Sequence, residues 1–126
     1  MSLVDVSREN WPEFLESFSV RHRGWLASVE RSDSTGTTIV ANAQPLLRVV
    51  AERDGPDISA MRILFAAVSG APEVRVHKPT RVRVDGTSEE DERGLEVLDE
   101  EGIRTRIGFR ATATPEMLDG LAPAEI

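Results

Sequence analysis

Residues 10–25 read NWPEFLESFSVRHRGW, and the hydrophobic period of the chain changes within this stretch. The first large apolar side chains recur at the i, i+3, i+4 and i+7 spacing of one helical face: Trp11, Phe14, Leu15 and Phe18. Asn10 is a favourable N-cap with Glu13 at the capping-box position, and Gly24 follows a basic last turn. The pattern predicts a helix over residues 10–22 whose aromatic stripe packs into the core.

From Trp25 onward apolar and polar residues alternate, which is typical of half-buried β-strands. Turn sequences rich in glycine, proline and aspartate divide these strands, and Pro45 is expected to interrupt the ladder at another point. No helix long enough for a parallel crossover separates the strands. Residues 25–111 are therefore predicted to form an antiparallel sheet.

The length of 126 residues and the order of elements predict a single α+β domain over residues 1–126. We expect the N-terminal helix to pack on an antiparallel β meander of about six to eight strands. Curling of the sheet into a partial barrel is the open alternative. Thr114, Pro115 and Glu116 are typical of a helix start, so a short C-terminal helix is predicted at residues 115–121.

The register of the last hairpin follows from its turn, which contains two glutamates and then Gly102. Loops of two or four residues would place glutamate side chains beside Ile103 and Ile107, so a three-residue loop with a glycine bulge is favoured. The pairs predicted by that loop are Asp99 with Ile103, Val97 with Thr105 and Leu95 with Ile107.

The composition excludes several kinds of site. The chain has no cysteine, which rules out disulfides, thiolate nucleophiles and cysteine-ligated metal centres. Its 22 acidic and 15 basic residues give a net charge of −7, which disfavours nucleic acid and anionic membranes as partners. The longest apolar run, residues 63–68, is far shorter than the roughly 20 residues that cross a bilayer. With no apolar stretch at the start, we expect no secretory signal and a cytoplasmic location.

Signatures of catalysis are weak. His22 and His77 are the only histidines, and no Gly-x-Ser-x-Gly elbow accompanies them. His22 is expected to contact the terminal carbonyl groups of the helix. The acids cluster in predicted loops at residues 89–92 and 99–101, without the spacing of a calcium loop or a phosphate loop. No catalytic residue, metal or cofactor is predicted.

One constellation of charges points to a binding surface. Residues 74–84 contain four cations and no acid, whereas residues 85–101 contain nine acids and one cation. If the apolar positions all face the helix, one set of basic side chains shares the opposite face of the sheet: Arg75, His77, Arg81, Arg83, Arg104, Arg106 and Arg110. Such a face would bind an acidic protein partner or an anionic ligand through arginine forks. The alternative is that cross-strand pairs, such as Glu96 with Arg106, merely solvate an exposed face.

Several short motifs are similar in kind and order to those of a family of small uncharacterised bacterial proteins, a domain of unknown function. They are the opening helix with Trp11, Phe14 and Phe18, Pro45-Leu46 before a strand, ILFAAV at 63–68, Lys78-Pro79 before another strand, and the closing hairpin with Gly102. The resemblance covers roughly residues 8–110. It implies a helix followed by antiparallel strands and carries no catalytic residues.

The sequence favours a non-enzymatic cytosolic interaction module that uses the arginine-rich face and forms a homodimer. Residues 63–68 are apolar on both strand faces, so a helix on one face leaves apolar side chains uncovered. The C-terminal segment 115–121 or closure of the sheet into a partial barrel would cover them, but a second copy in a two-fold dimer is favoured. The alternative function is a small-ligand-binding protein or an enzyme with a pocket between the helix and the sheet.

Overall fold

The computed structural model describes residues 3–66, 73–86 and 92–109. A single turn of 3₁₀-helix, Arg8–Asn10, leads into helix α1, Trp11–His22. The strands are β1 Leu3–Val6, β2 Leu26–Asp33, β3 Gly36–Asp54, β4 Asp57–Phe65, β5 Val74–His77, β6 Pro79–Asp85, β7 Gly94–Asp99 and β8 Arg104–Phe109.

The α+β class is confirmed: the described residues form an N-terminal α-helix and an eight-stranded antiparallel sheet in the order β1-β6-β7-β8-β2-β3-β4-β5. The sheet is not one continuous meander, because the runs β2–β5 and β6–β8 are joined by pairing of β8 with β2. Strand β1, which no pattern in the sequence predicts, pairs with β6. The predicted helix at residues 115–121 lies outside the described residues.

The sheet is open in its strand order but strongly curved. Lys78 is the only residue between β5 and β6, yet β5 is at one end of the order and β6 is next to the other end. Lys78 adopts a left-handed φ of 48°, donates its N–H to the Ser59 carbonyl (2.8 Å) and accepts from the Glu100 N–H (3.1 Å). The two ends of the sheet therefore approach one another at Lys78.

Strand β3 continues through Pro45, although its ladder with β2 ends at that residue. Residues up to Pro45 pair with β2, and those from Leu46 onward pair with β4. Ala43 takes a left-handed φ of 52° just before this exchange. The proline thus marks a change of partner within one long strand, and among the described residues no strand lies beside the other edge of either half of β3.

Helix α1 packs on the concave face of the sheet. Trp11, Leu15 and Phe18 are buried, while Phe14 is only partly buried and packs against the edge of the core. The Phe18 ring lies 5.8 Å from that of Phe109, and the Trp11 Nε1–H donates to the Val6 carbonyl (2.9 Å).

The ends of α1 differ from the expected capping pattern. Asn10 occupies the cap position, but its side chain makes no capping hydrogen bond. The preceding 3₁₀ turn holds its backbone at φ −97° and ψ −1°, outside the extended conformation of an ordinary N-cap. At the other end, Gly24 has a left-handed φ of 87° and donates its N–H to the Leu46 carbonyl, which ties the helix end to β3.

The register of the last hairpin is confirmed. Val97 lies opposite Thr105 and Leu95 lies opposite Ile107. The Asp99 N–H donates to the Ile103 carbonyl (3.0 Å), and Gly102 has a φ of 85°. The loop therefore has the three residues and the glycine bulge that the acidic turn sequence predicts.

Candidate functional site

The arginines of β6 and β8 lie on the convex face of the sheet, on either side of β7. Arg83 is opposite Glu96 across one ladder, and Arg106 is opposite Glu96 across the next. Val82 and Ile107, their neighbours along the two strands, are fully buried on the concave face. Strict alternation therefore directs the guanidinium groups away from the core.

One buried carboxylate holds three of these arginines. Glu96 is 3% exposed, and its Oε1 accepts from both Nε (3.0 Å) and Nη2 of Arg83. The Oε2 atom lies 3.3 Å from Arg104 Nε and 3.4 Å from Arg106 Nη2. The side chains of Arg83, Arg104 and Arg106 are 23%, 50% and 40% exposed. We call these four residues the Glu96 cluster.

The Glu96 cluster has a formal surplus of two positive charges, while its surroundings contain acids. Glu30 lies opposite Arg106 across the β2–β8 ladder. Arg81, next to the cluster, makes a bidentate pair with Asp5 of β1 at 2.7 and 3.0 Å. The hydrogen bond from Arg81 lowers the pKa of the Asp5 carboxyl. Arg81 is therefore neutralised locally.

Arg75 lies in a second, charge-balanced group on β3, β4 and β5. Its Nη2 atom is 2.9 Å from Glu52 Oε1. Arg62 lies 3.4 Å from the other Glu52 oxygen and makes a bidentate pair with Glu73. The hydrogen bond from Arg62 lowers the pKa of Glu73. These two arginines and two glutamates form the Glu52 cluster.

His77 opens onto a cleft of about 280 Å³ between β2, β5 and the last hairpin. Arg31 spans this cleft and donates from Nη2 to the Arg75 carbonyl (2.7 Å), and Lys78 lies 3.5 Å from Glu100. Asp99 and Glu101 add further acids to the lining. The cleft therefore carries as many acids as lysine and arginine side chains, and it is not a basic site.

The predicted basic face is thus divided. The structure brings Arg83, Arg104 and Arg106 together and places Arg81 beside them. Arg75 and His77 belong to a different part of the sheet, because β5, which precedes Lys78, pairs with β4, whereas β6, which follows it, pairs with β7. Arg110 lies outside the described residues.

A groove that no sequence pattern predicts runs between α1 and β3. Its volume is about 340 Å³. One wall is a helical stripe that includes Glu16, Val20 and Arg23, and the other is residues 48–51 of β3. Val20 is 64% exposed. We call this feature the α1–β3 groove. In the sequence, its only indications are Val20, Arg23 and Arg48, which lie outside the apolar stripe of the helix and the apolar face of the strands.

His22 has a structural environment. Its Nδ1–H donates to the Phe18 carbonyl (2.8 Å), which confirms the expected contact with a helix carbonyl. The ring stacks on Phe109 at 4.6 Å and meets the edge of Trp25 at 4.7 Å. Burial among these rings lowers the pKa of His22, although Glu92 Oε1 lies 3.6 Å from Nε2.

Comparisons with known proteins find no match: no family model, curated protein or solved structure is detectably similar to the chain. Within residues 3–66, 73–86 and 92–109, no group of three or more histidine, aspartate or glutamate side chains is placed to hold a metal ion. In the same ranges, no helix has the length and apolar character needed to cross a membrane.

Proposed function

We propose that this protein is a non-enzymatic cytosolic interaction module whose Glu96 cluster binds an acidic segment of a partner protein. The observation that supports this is one buried carboxylate shared by three guanidinium groups. Arginine presents its donors in a planar fork that matches a carboxylate, and a charged hydrogen bond of this kind is stronger than a neutral one.

The cluster is suited to binding because its arginines are held in place before a partner arrives. Glu96 contacts Arg104 through Nε and Arg106 through Nη2, and the side chains of both arginines are about half exposed. Within the described residues, the two Nη groups of Arg104 make no hydrogen bond and are available to an incoming carboxylate. Preorganisation lowers the entropy cost of association, which is a large part of the cost of binding.

The test compares two double variants that change the net charge equally. Arg104→Ala/Arg106→Ala removes two cations from the Glu96 cluster, and Arg62→Ala/Arg75→Ala removes two from the balanced Glu52 cluster. Binding of a fluorescein-labelled hexaglutamate peptide is followed by anisotropy. We expect the first variant to lose about tenfold or more in affinity, about 1.4 kcal/mol, and the control to stay within about twofold of wild type.

Salt dependence supplies a second measurement on the same samples. Wild-type affinity should fall as ionic strength rises from about 0.05 to 0.5 M, because exposed charges are screened over a few ångströms at the higher value. Equal losses in the two double variants would mean that only net charge matters, and the proposal would then be wrong. Melting curves check that both variants are folded.

The proposal includes a two-fold homodimer formed through the exposed part of the sheet. On β4, Leu64 is only half-buried on the convex face, and Ile39 of β3 is 62% exposed. Light scattering at micromolar concentration should give twice the mass of one chain. The mass of a single chain would contradict this part of the proposal.

A further inference from the structure

Within residues 3–66, 73–86 and 92–109, the half of β3 that pairs with β4 has no strand on its other edge, which we call its free edge. Val49 lies opposite Ile63, but its N–H donates to Ser19 Oγ of α1 (2.8 Å) and not to β4. Val49 and Ile63 are therefore a non-hydrogen-bonded pair. Because the two kinds of pair alternate in an antiparallel ladder, Ala51 and Met61 are also non-hydrogen-bonded. The N–H and C=O groups of Val49 and Ala51 thus point towards the α1–β3 groove.

Helix α1 takes the place of a neighbouring strand at only one of these positions. Ser19 Oγ accepts the Val49 N–H, lies 3.2 Å from the Val49 carbonyl oxygen and donates to the Leu15 carbonyl (2.7 Å). No side chain or backbone group of the described residues bonds to Ala51 on this side. Ala51 is consequently an open edge position, ready to pair with an added strand.

The groove beside Ala51 has the dimensions of a short extended peptide. Its helical wall extends from Pro12 to Arg23, about 16 Å at the rise of an α-helix. Roughly five residues of extended chain span that length. Val20 supplies an apolar surface along the helical wall and is 64% exposed.

The charges that line the groove favour an anionic group in the peptide. Arg23 follows the last turn of α1, and Arg48 precedes Val49 on β3. Within the described residues neither guanidinium makes an ion pair or a side-chain hydrogen bond. Glu16 is the only carboxylate of the lining. Two arginines are therefore available to one incoming carboxylate.

We propose that the α1–β3 groove binds an extended peptide segment of a partner protein, which adds to the free edge of β3 at Ala51 and places a carboxylate at Arg23 and Arg48. Main-chain hydrogen bonds would supply affinity, and the arginines and Val20 would select the sequence, as in other cases of strand addition. This surface is separate from the Glu96 cluster, so it does not depend on the function proposed above.

Amide exchange in the full-length protein tests the register. We expect the Ala51 N–H to exchange rapidly in the free protein, whereas the amides of Val50 and Glu52, which point towards β4, are protected. Protection of Ala51 in the free protein would overturn the proposal, because the edge would already be occupied.

Binding is tested with an array of N-acetylated pentapeptides in which valine or threonine fills four positions and glutamate the fifth. These peptides carry a C-terminal amide. A second set replaces the glutamate with glutamine, and a third set has a free C-terminal carboxylate in place of the amide. Comparing the three sets shows whether a side chain or the end of the chain supplies the carboxylate. The best binder should protect Ala51 from exchange. No binding by any peptide at about 1 mM would overturn the proposal.

Variants then assign the bound peptide to the groove. Arg23→Ala/Arg48→Ala should weaken binding at least about tenfold, whereas the equally charged Arg62→Ala/Arg75→Ala should not. Loss confined to Arg104→Ala/Arg106→Ala would place the peptide on the Glu96 cluster and overturn the groove. Ala51→Pro removes the docking N–H without removing a hydrogen bond to β4, and it should abolish binding of the peptide.

Should Ala51→Pro fail to fold, N-methylation of the peptide supplies the same information. Methylating the residue that pairs with Ala51 should abolish binding, while methylating the next residue should be tolerated. If the two methylated peptides bind equally well, the peptide does not add to the strand. If decanoate displaces the peptide and the exchange of the Ala51 N–H does not change, the groove binds apolar ligands without strand addition. Either result would overturn the proposal.

Discussion

Neutralising Glu96 should destabilise the fold more than neutralising any exposed glutamate of the sheet. Glu96→Gln keeps the shape of the side chain but leaves Arg83, Arg104 and Arg106 facing one another without an anion between them. Removing one partner of a buried ion pair costs about 3–5 kcal/mol. Two of the three arginines are about half exposed and can regain water, so we expect a loss of about 2 kcal/mol.

The matched control is Glu52→Gln, which changes the net charge equally. Glu52 is 29% exposed and also contacts two arginines, at 2.9 and 3.4 Å. Because exposed pairs contribute little, its loss should be below about 1 kcal/mol and should shrink in high salt. Urea denaturation gives both values from the midpoint and slope. If Glu96→Gln costs no more than Glu52→Gln, the carboxylate does not organise the cluster and the reasoning is refuted.

Three further outcomes follow from the core and the ladder. Phe18→Ala should cost about 3–5 kcal/mol in urea melts, and Phe14→Ala about half as much, because only the first ring is fully buried; equal losses would contradict this packing. Burial lowers the pKa of His22, so its contribution to stability is present above the unfolded pKa of about 6.5 and is lost as pH falls below it. Melts between about pH 7.5 and 5 should show this slope, and His22→Gln should flatten it. A Cβ at Gly94 would lie 2.3 Å from a backbone carbonyl oxygen of β8, whereas one at Gly108 would meet nothing within 4 Å. Gly94→Ala should therefore lower the free energy of unfolding by about 1–3 kcal/mol, and Gly108→Ala should lower it by well under about 1 kcal/mol. Similar melting curves for the two variants would show that the β7–β8 ladder accommodates a side chain at Gly94 without destabilising the fold.

Local patterns predict local structure in this chain. The helical period around Phe18 and the acidic turn before Ile103 each decide their own element, because the interactions that select them lie within a few residues. Strand β1 was missed, since Leu3–Val6 has only four residues and becomes a strand by pairing with β6, some 80 positions away. The order of strands likewise depends on long-range pairing, which no periodicity encodes.

In the candidate sites too, the sequence predicts what depends on nearby residues but not what depends on long-range strand pairing. Alternation alone directs the arginines of β6 and β8 away from the core, so their orientation can be predicted. Which of them become neighbours depends on strand order. Arg75 and Arg81 are close in sequence, but the turn at Lys78 separates them, while Arg83 and Arg106 converge on Glu96 from two different ladders.

The free edge of β3 has its origin in the change of partner at Pro45. A strand of 19 residues is longer than either of its neighbours, so in the described part of the chain each half pairs on one side only. Unpaired strand edges favour aggregation unless something covers them. Helix α1 covers the half that begins at Leu46 and bonds directly to Val49, but not to Ala51. A single helix cannot reproduce the regular donors and acceptors of a strand, because its own backbone groups are bonded internally and only a side chain such as Ser19 can reach across. An edge covered in this way keeps an open position, and this is why the groove beside Ala51 can pair with an added strand.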